Sequence, residues 1–343
     1  MIWLTWRQFR AQAVAVYAAV AAVALVLAIT GPRLARLARL NANVFDVLTS
    51  NDRTLFFAGV IVLGVAPAII GAFWGAPLVA RELEAGTHRL VWSQSVTRTR
   101  WLATKLGAVT LGAAAAVGVL TVAISWWAKP LDGALSSTRG SLPSRITPVT
   151  FAMRGIVPVS YAVFAVVLGV TVGAVLRRSV PAMAVTLALF TCAQVAMPLW
   201  VRPHLVPPVA TTVSFSESRL DGISLNDGGE LRLTLSLGTP GAWILTNHTV
   251  DSSGTPTALP SWLGDCLPGP PPAGAVGGRV QVAERPDLGR CFTRLNHEGY
   301  RQRIVYQPAS HFWRLQWTET ALFLVVSSLL AGFCFWWTRR RLN

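Results

Sequence analysis

Lysine is almost missing from this chain. Of 30 basic residues only Lys105 and Lys129 are lysines, the rest being arginine. Lys105 precedes Leu106 and Lys129 precedes Pro130, so the sequence holds no G-x-x-x-x-G-K-[ST] loop and is not a P-loop ATPase on its own. Acidic residues number only 15, and charged residues make up 13% of a sequence that is 52% hydrophobic with a mean hydropathy of +0.49. That balance excludes an ordinary soluble domain. Catalytic patterns are missing too. There is no G-x-S-x-G, and His297-Glu298 begins like a zinc-protease motif whose second histidine position holds Arg301. His88, His204, His248 and His311 are scattered, and the four cysteines show no CxxC spacing. No catalytic residue, metal site or cofactor is assigned, and the chain does not read as an enzyme.

What the sequence does have is long apolar runs. Six are long enough to cross a bilayer core of roughly 30 Å as helices: Ala13 to Ile29, Leu55 to Val79, Leu106 to Trp127, Ile156 to Leu176, Val180 to Val201 and Thr320 to Trp337. The expected fold class is an all-α polytopic membrane protein of six transmembrane helices, with a large extracytoplasmic, partly β loop domain between helices 5 and 6. Pro67, Pro77, Pro158 and Pro198 interrupt the runs, which bundles tolerate because neighbours satisfy the freed backbone groups. Within these limits no run holds an Asp, Glu, Lys, Arg or His, which argues against self-contained ion-coupled transport. Gly71 and Gly75 in the second run and Gly169 and Gly173 in the fourth have the spacing that lets helices approach closely, within the chain or between subunits.

The start, MIWLTWRQFR, resembles a signal-peptide n-region. Its apolar run is longer than a usual h-region and ends in GPRLARLARL rather than a cleavage site, so a retained helix is expected. Trp3 and Trp6 beside Arg7 and Arg10 predict an interfacial elbow ahead of the first span. Arg33, Arg36 and Arg39 opposite Leu34, Leu37 and Leu40 predict either a second surface helix or a solvated helix end. An even number of spans puts both termini on one side. Taking that side as cytoplasmic places twelve basic residues inside against eight in the short outer loops, a moderate bias towards N-in and C-in, anchored by the tail TRRRLN. The net charge of +15 does not indicate nucleic acid, because the basic residues are spread over loops and helix ends; membrane lipid head groups suit them better.

Residues 202–317 are of another material, rich in Pro, Gly, Ser and Thr. Leu231 to Leu237 (LRLTLSL) alternates as a half-buried strand does, with GRVQVAE and YRQRIVY as weaker candidates. Such a segment buries a modest core, and Cys266 and Cys291 lie within it. A disulfide between them is expected in an oxidising exterior, the alternatives being two free thiols or a metal site that no CxxC spacing supports. Cys192 and Cys334 lie in apolar runs and read as packing residues. The domains are therefore 1–201, with a charged loop at 80–106, then 202–317, then 318–343.

Ala80 to Leu106 is where short-range charge concentrates. It reads Arg81, Glu82, Glu84, Gly86, Thr87, Arg89, Leu90, Ser95, Arg98, Lys105. The E-x-E-x-G-T stretch after the second span, with the Ser/Arg segment leading to a basic residue in the third, resembles the first cytoplasmic loop of ABC-2 type transporter permeases. The closing segment YQPASHFWRLQWTETALFLVVSSLLAGFCFWWTRRR is similar to the last span of an actinobacterial group of such permeases. The resemblance covers the spans well and residues 202–317 poorly. It implies a permease subunit in a bacterial plasma membrane, paired with a second permease subunit, identical or not, and driven by a separate ATP-binding-cassette ATPase. It further implies that Arg81, Glu82, Glu84, Gly86, Thr87, Arg89 and Arg98 form the coupling contact with that ATPase, whose motion is relayed to the spans. Apolar spans suit export of a hydrophobic or amphiphilic cargo. The alternative is a membrane-anchored binding or sensing protein that captures its ligand on 202–317.

Overall fold

The computed structural model describes residues 2–40, 48–86, 97–135, 144–225, 231–266 and 288–341. The chain forms two compact units, one of Met1–Pro207 with Ser310–Asn343 and one of Pro208–Ala309. Among the described residues of the first unit, six helices are long and apolar enough to cross a membrane: Phe9–Leu40, Ser50–Glu84, Arg98–Asp132, Val157–Leu176, Ser179–Leu205 and Ala309–Arg340. They are spans 1 to 6 below. The elbow and the second surface helix are not separate elements. Ile2–Leu40 is one helix of 39 residues, because nothing between its Trp/Arg start and its Arg/Leu end breaks the backbone pattern, and even Pro32 is accommodated within it.

Successive spans run antiparallel, giving the bundle one end near Glu84, Arg98, Ser179 and Arg340, where the charged loop 80–106 joins spans 2 and 3 (the hairpin below), and a far end near Asp132, Ile156, Arg202 and Phe312. Span 4 is the enclosed one: 72% of its apolar window is buried, against 22% for each of spans 5 and 6. Its closest partner is span 2, and glycine is the reason. A methyl group at Gly71 would sit 2.7 Å from the carbonyl oxygen of Ala165, and one at Gly75 would sit 2.7 Å from that of Val166. Gly169 and Gly173 return the contact against Gly71, Gly75 and Ala76. The two Gly-x-x-x-Gly faces thus close on each other within the chain. Gly71–Gly75 is a π-helical turn, in which the Ala76 amide reaches back to the Gly71 carbonyl. Such widened turns are rare and recur at functional places. A second one, Met197–Val201, contains Pro198 and lies near the end of span 5.

The second unit has two antiparallel sheets. β1 (Val209–Val213), β5 (Arg301–Gln307) and β4 (Trp243–Val250) form one in the order β1-β5-β4, and β2 (Leu220–Leu225) pairs with β3 (Leu231–Leu235) in the other. The alternation in LRLTLSL is realised as β3, with Leu233 and Leu235 fully buried. YRQRIVY supplies β5, whereas GRVQVAE lies outside the described residues. Phe215, Leu263, Phe292, Leu295 and Ile304 complete the core. Buried Gln302 stitches the sheets together: its amide donates to the Leu233 carbonyl at 3.0 Å and to the Asn247 side chain at 2.7 Å. A disulfide joins Cys266 to Cys291, 25 residues apart, beside this core. The unit is shorter than 202–317 because the helices of spans 5 and 6 continue past the ends of their apolar runs.

Packing sets the expected response to substitution. Gly169→Ala must push span 2 away and lower the thermal unfolding midpoint in detergent. Gly107→Ala and Gly332→Ala meet nothing within 4 Å and should be neutral or stabilising by about 0.5–1 kcal/mol. Cys266→Ser/Cys291→Ser should cost the second unit about 3.5 kcal/mol by loop entropy, read by limited proteolysis of the full chain under denaturant.

Candidate functional site: the polar base of the charged hairpin

The hairpin leaves span 2 through a short amphipathic stretch. Ala76, Pro77, Val79 and Ala80 bury one side of it, while Arg81 and Glu84 reach the surface. Gly86 ends the helix at φ +68°, a left-handed conformation that costs glycine little. Arg98 opens the helix of span 3. Just before it, the Thr97 hydroxyl accepts the Arg100 amide at 3.3 Å, as an N-cap does. Thr87 and Arg89 lie outside the described residues, as does Ser95.

Glu82 and Lys105 form an ion pair between span 2 and span 3, with side chains only 13% and 5% exposed. The ammonium also lies 5.1 Å from the centre of the Trp101 ring, a cation–π distance. Glu84 reaches the other way. It accepts from the Ser179 amide at 3.1 Å and from the Ser179 hydroxyl at 2.9 Å, capping the first turn of span 5 from another helix. A carboxylate there meets both the free amides and the positive end of the helix dipole.

The remaining helices join the same end. Span 4 stops at Arg177, which adopts φ 56°, the left-handed region that few non-glycine residues enter. That turn lets span 5 start two residues later. The Arg177 guanidinium donates to the Arg341 carbonyl at 2.9 Å, and Arg339 donates to the Thr99 hydroxyl at 3.1 Å. Spans 2, 3, 4, 5 and 6 are thereby tied in one polar layer at the root of the hairpin. Of the coupling set, Glu82 and Glu84 are joined to this layer, Arg81 lines a cavity of about 170 Å³ with Phe9, Trp74 and Leu78, and Arg98 begins span 3. Among the described residues no group of three or more His, Cys, Asp or Glu is placed to hold a metal ion. The layer can transmit force, because each helix end is bonded to a neighbour.

Sequence reasoning missed a second polar group at the far end. The limits it set for the fifth and sixth runs, Val201 and Thr320, each stop one residue short of a charge. Arg202 and Glu319 are fully buried and paired, with Tyr161 of span 4 bonded to both. The spans therefore do contain ionisable side chains, satisfied by one another. The available signal was two lone charges of opposite sign, at the mouths of runs that end on the same side of the membrane.

A family profile described as ABC-2 membrane transporter related matches residues 11–202. No curated protein and no solved structure matches the chain.

Removing one partner of the Glu82–Lys105 pair strands a largely buried charge. Lys105→Met is expected to cost about 3 kcal/mol, whereas Glu82→Leu/Lys105→Met recovers most of it, measured as detergent unfolding midpoints.

Proposed function

The chain belongs to the ABC-2 membrane transporter related family, and on that premise we propose that it is the permease subunit of an ATP-driven exporter. The observation that carries this reading is the polar layer under the hairpin. A partner pressing on residues 85–97 displaces the ends of spans 2 and 3 together, because Glu82 and Lys105 bind them, and pulls on span 5 through Glu84 and Ser179. Arg81, Glu84, Gly86, Thr87, Arg89 and Arg98 form the contact surface for a separate ATP-binding-cassette ATPase, with Glu82 as the strut behind it. A charged hairpin serves this purpose well, since it stays in water while the helices it caps stay in lipid.

In this reading the protein is a multi-pass component of a bacterial plasma membrane with both termini in the cytoplasm. A second permease subunit, identical or related, completes the path. The unit Pro208–Ala309 is then extracytoplasmic, where its disulfide is stable. Cargo is hydrophobic or amphiphilic, as apolar helix surfaces require. One observation favours the alternative drawn from sequence, a membrane-anchored binding or sensing protein that captures its ligand on this unit. The unit carries a cleft of about 550 Å³ lined by Thr212, Asp251, Arg301 and Arg303, within the size range of small-molecule sites.

An affinity-tagged full chain solubilised from native membranes should bring down an ATP-binding subunit. Arg98→Glu should reduce that recovery about tenfold, the effect of losing one charge-assisted contact of roughly 1.4 kcal/mol. Recovery of the native chain with no ATP-binding partner sinks the reading.

A further inference from the structure

The far-end assembly lies at the opposite end of the bundle from the hairpin and is the most completely buried charge in the described chain. Arg202 and Glu319 are each 0% exposed. The guanidinium meets the carboxylate as a fork, Nε to Oε2 at 2.8 Å and Nη2 to Oε1 at 3.0 Å, and donates from Nη1 to the Pro148 carbonyl at 3.0 Å. Its central carbon lies 4.4 Å from the centre of the Phe151 ring. The Tyr161 hydroxyl donates to the same carboxylate.

Burying such a pair is expensive, and well-packed apolar residues of similar volume often do as well or better for stability. An ionisable pair kept among membrane helices therefore points to function, and its placement says which. Arg202 sits at the end of span 5 and Glu319 near the start of span 6. These are the two thinly covered helices that flank span 4. Directly along the bundle from the pair, the Tyr161 ring meets Phe190 of span 5 at 6.2 Å and Phe323 of span 6 at 4.8 Å. Phe164 packs against the same two rings at 6.2 and 5.1 Å. One tyrosine thus belongs to both the ion pair and an aromatic plug contributed by spans 4, 5 and 6.

Gln316, one turn before Glu319, adds a second tie. Its carbonyl oxygen accepts the Ile156 and Val157 amides at 2.9 and 3.0 Å, and its amide donates to the Arg154 carbonyl at 2.9 Å. The start of span 4, which has no side-chain cap of its own, is held by span 6.

We propose that Arg202 and Glu319 are the clasp of a gate between spans 5 and 6, with Tyr161, Phe164, Phe190 and Phe323 as its plug. The clasp is closed in this structure. Its release frees the last turn of span 5 from span 6, lets the plug separate and opens the far end of the path to an apolar or amphiphilic cargo. This inference rests on the permease reading. Arg202 and Glu319 are positioning residues in it, and the fork makes arginine necessary, since a lysine ammonium cannot span both carboxylate oxygens in one plane.

The test uses the full chain in membrane vesicles, with both free cysteines removed (Cys192→Ser and Cys334→Ser) and a single reporter, Ser160→Cys, beside Tyr161. Ser160 is 2% exposed, and the readout is its labelling rate with a membrane-impermeant methanethiosulfonate. Glu319→Gln is expected to raise the rate about tenfold or more, as a two-state joint does when one state loses a charged hydrogen bond. Tyr161→Phe raises it several-fold, and Arg202→Met/Glu319→Leu, which refills the site with apolar side chains, keeps it at the wild-type rate. A reporter at the hairpin end, Ala80→Cys, marks global unfolding. Where Glu319→Gln exposes that reporter, the milder Tyr161→Phe, which removes one hydroxyl, is the deciding variant. Wild-type rates in both Glu319→Gln and Tyr161→Phe overturn the clasp. Raised rates in a chain that purifies with no ATP-binding subunit leave the clasp standing as a joint and bring down the permease reading alone.

Discussion

Span 4 can touch span 2 backbone to backbone because four glycines leave nothing between them. Apolar side chains gain little by meeting in lipid, whose tails are as apolar as they are, so close van der Waals approach is what holds membrane helices together. Gly71 and Gly75 against Gly169 and Gly173 make that approach the tightest found at the described glycines. Spans 2 and 4 become a rigid core, and the other helices are arranged around it. Spans 5 and 6 lie against span 4 with most of their own surface exposed. The π-helical turn sits in the seam itself, where a widened backbone faces glycine rather than a side chain.

The polar groups are sorted to the two ends of this core. In lipid an unsatisfied donor or acceptor costs several kcal/mol, so helix starts and stops must find partners in neighbouring helices. Span 5 starts on Glu84 of span 2, and span 4 starts on Gln316 of span 6. Neither relies on a side chain of its own first turn. Caps supplied by another helix make the ends cooperative: displacing span 2 uncaps span 5, and displacing span 6 uncaps span 4. This gives the hairpin a physical route to the far end, through elements that share caps and a seam.

Much of this was legible in the sequence, and what was not has definite causes. Six apolar runs gave six spans and the alternation of Leu231 to Leu235 gave a strand, because each is set by local chemistry. The paired Gly-x-x-x-Gly motifs left two options open, and only the tertiary structure chose contact within the chain. Arg202 and Glu319 escaped because hydropathy cuts a helix at its first charge, whereas a charge that finds its partner lets the helix continue. The partners are 117 residues apart, and no local pattern links them. The continuous start of the first helix escaped for a related reason: an amphipathic Trp/Arg piece suggests a separate elbow, yet the backbone needs no break to change its surroundings, and at the other end the solvated helix end is the reading that held.

The ion pairs rank by exposure, and the ranking separates their roles. Arg294–Glu298 in the second unit is 59% and 33% exposed, so it is screened by water and worth at most a fraction of a kcal/mol. Arg154–Asp132, at 6% and 24%, and Lys105–Glu82, at 5% and 13%, keep one edge near solvent and can exchange it for water. Arg202–Glu319 has no such edge. Water must enter, or the helices must part, before that pair can change partners, and the step is therefore all-or-none. A hinge built on the two partly exposed pairs would yield gradually under load. A joint built on the fully enclosed one holds and then lets go, which is the behaviour a barrier to leakage requires.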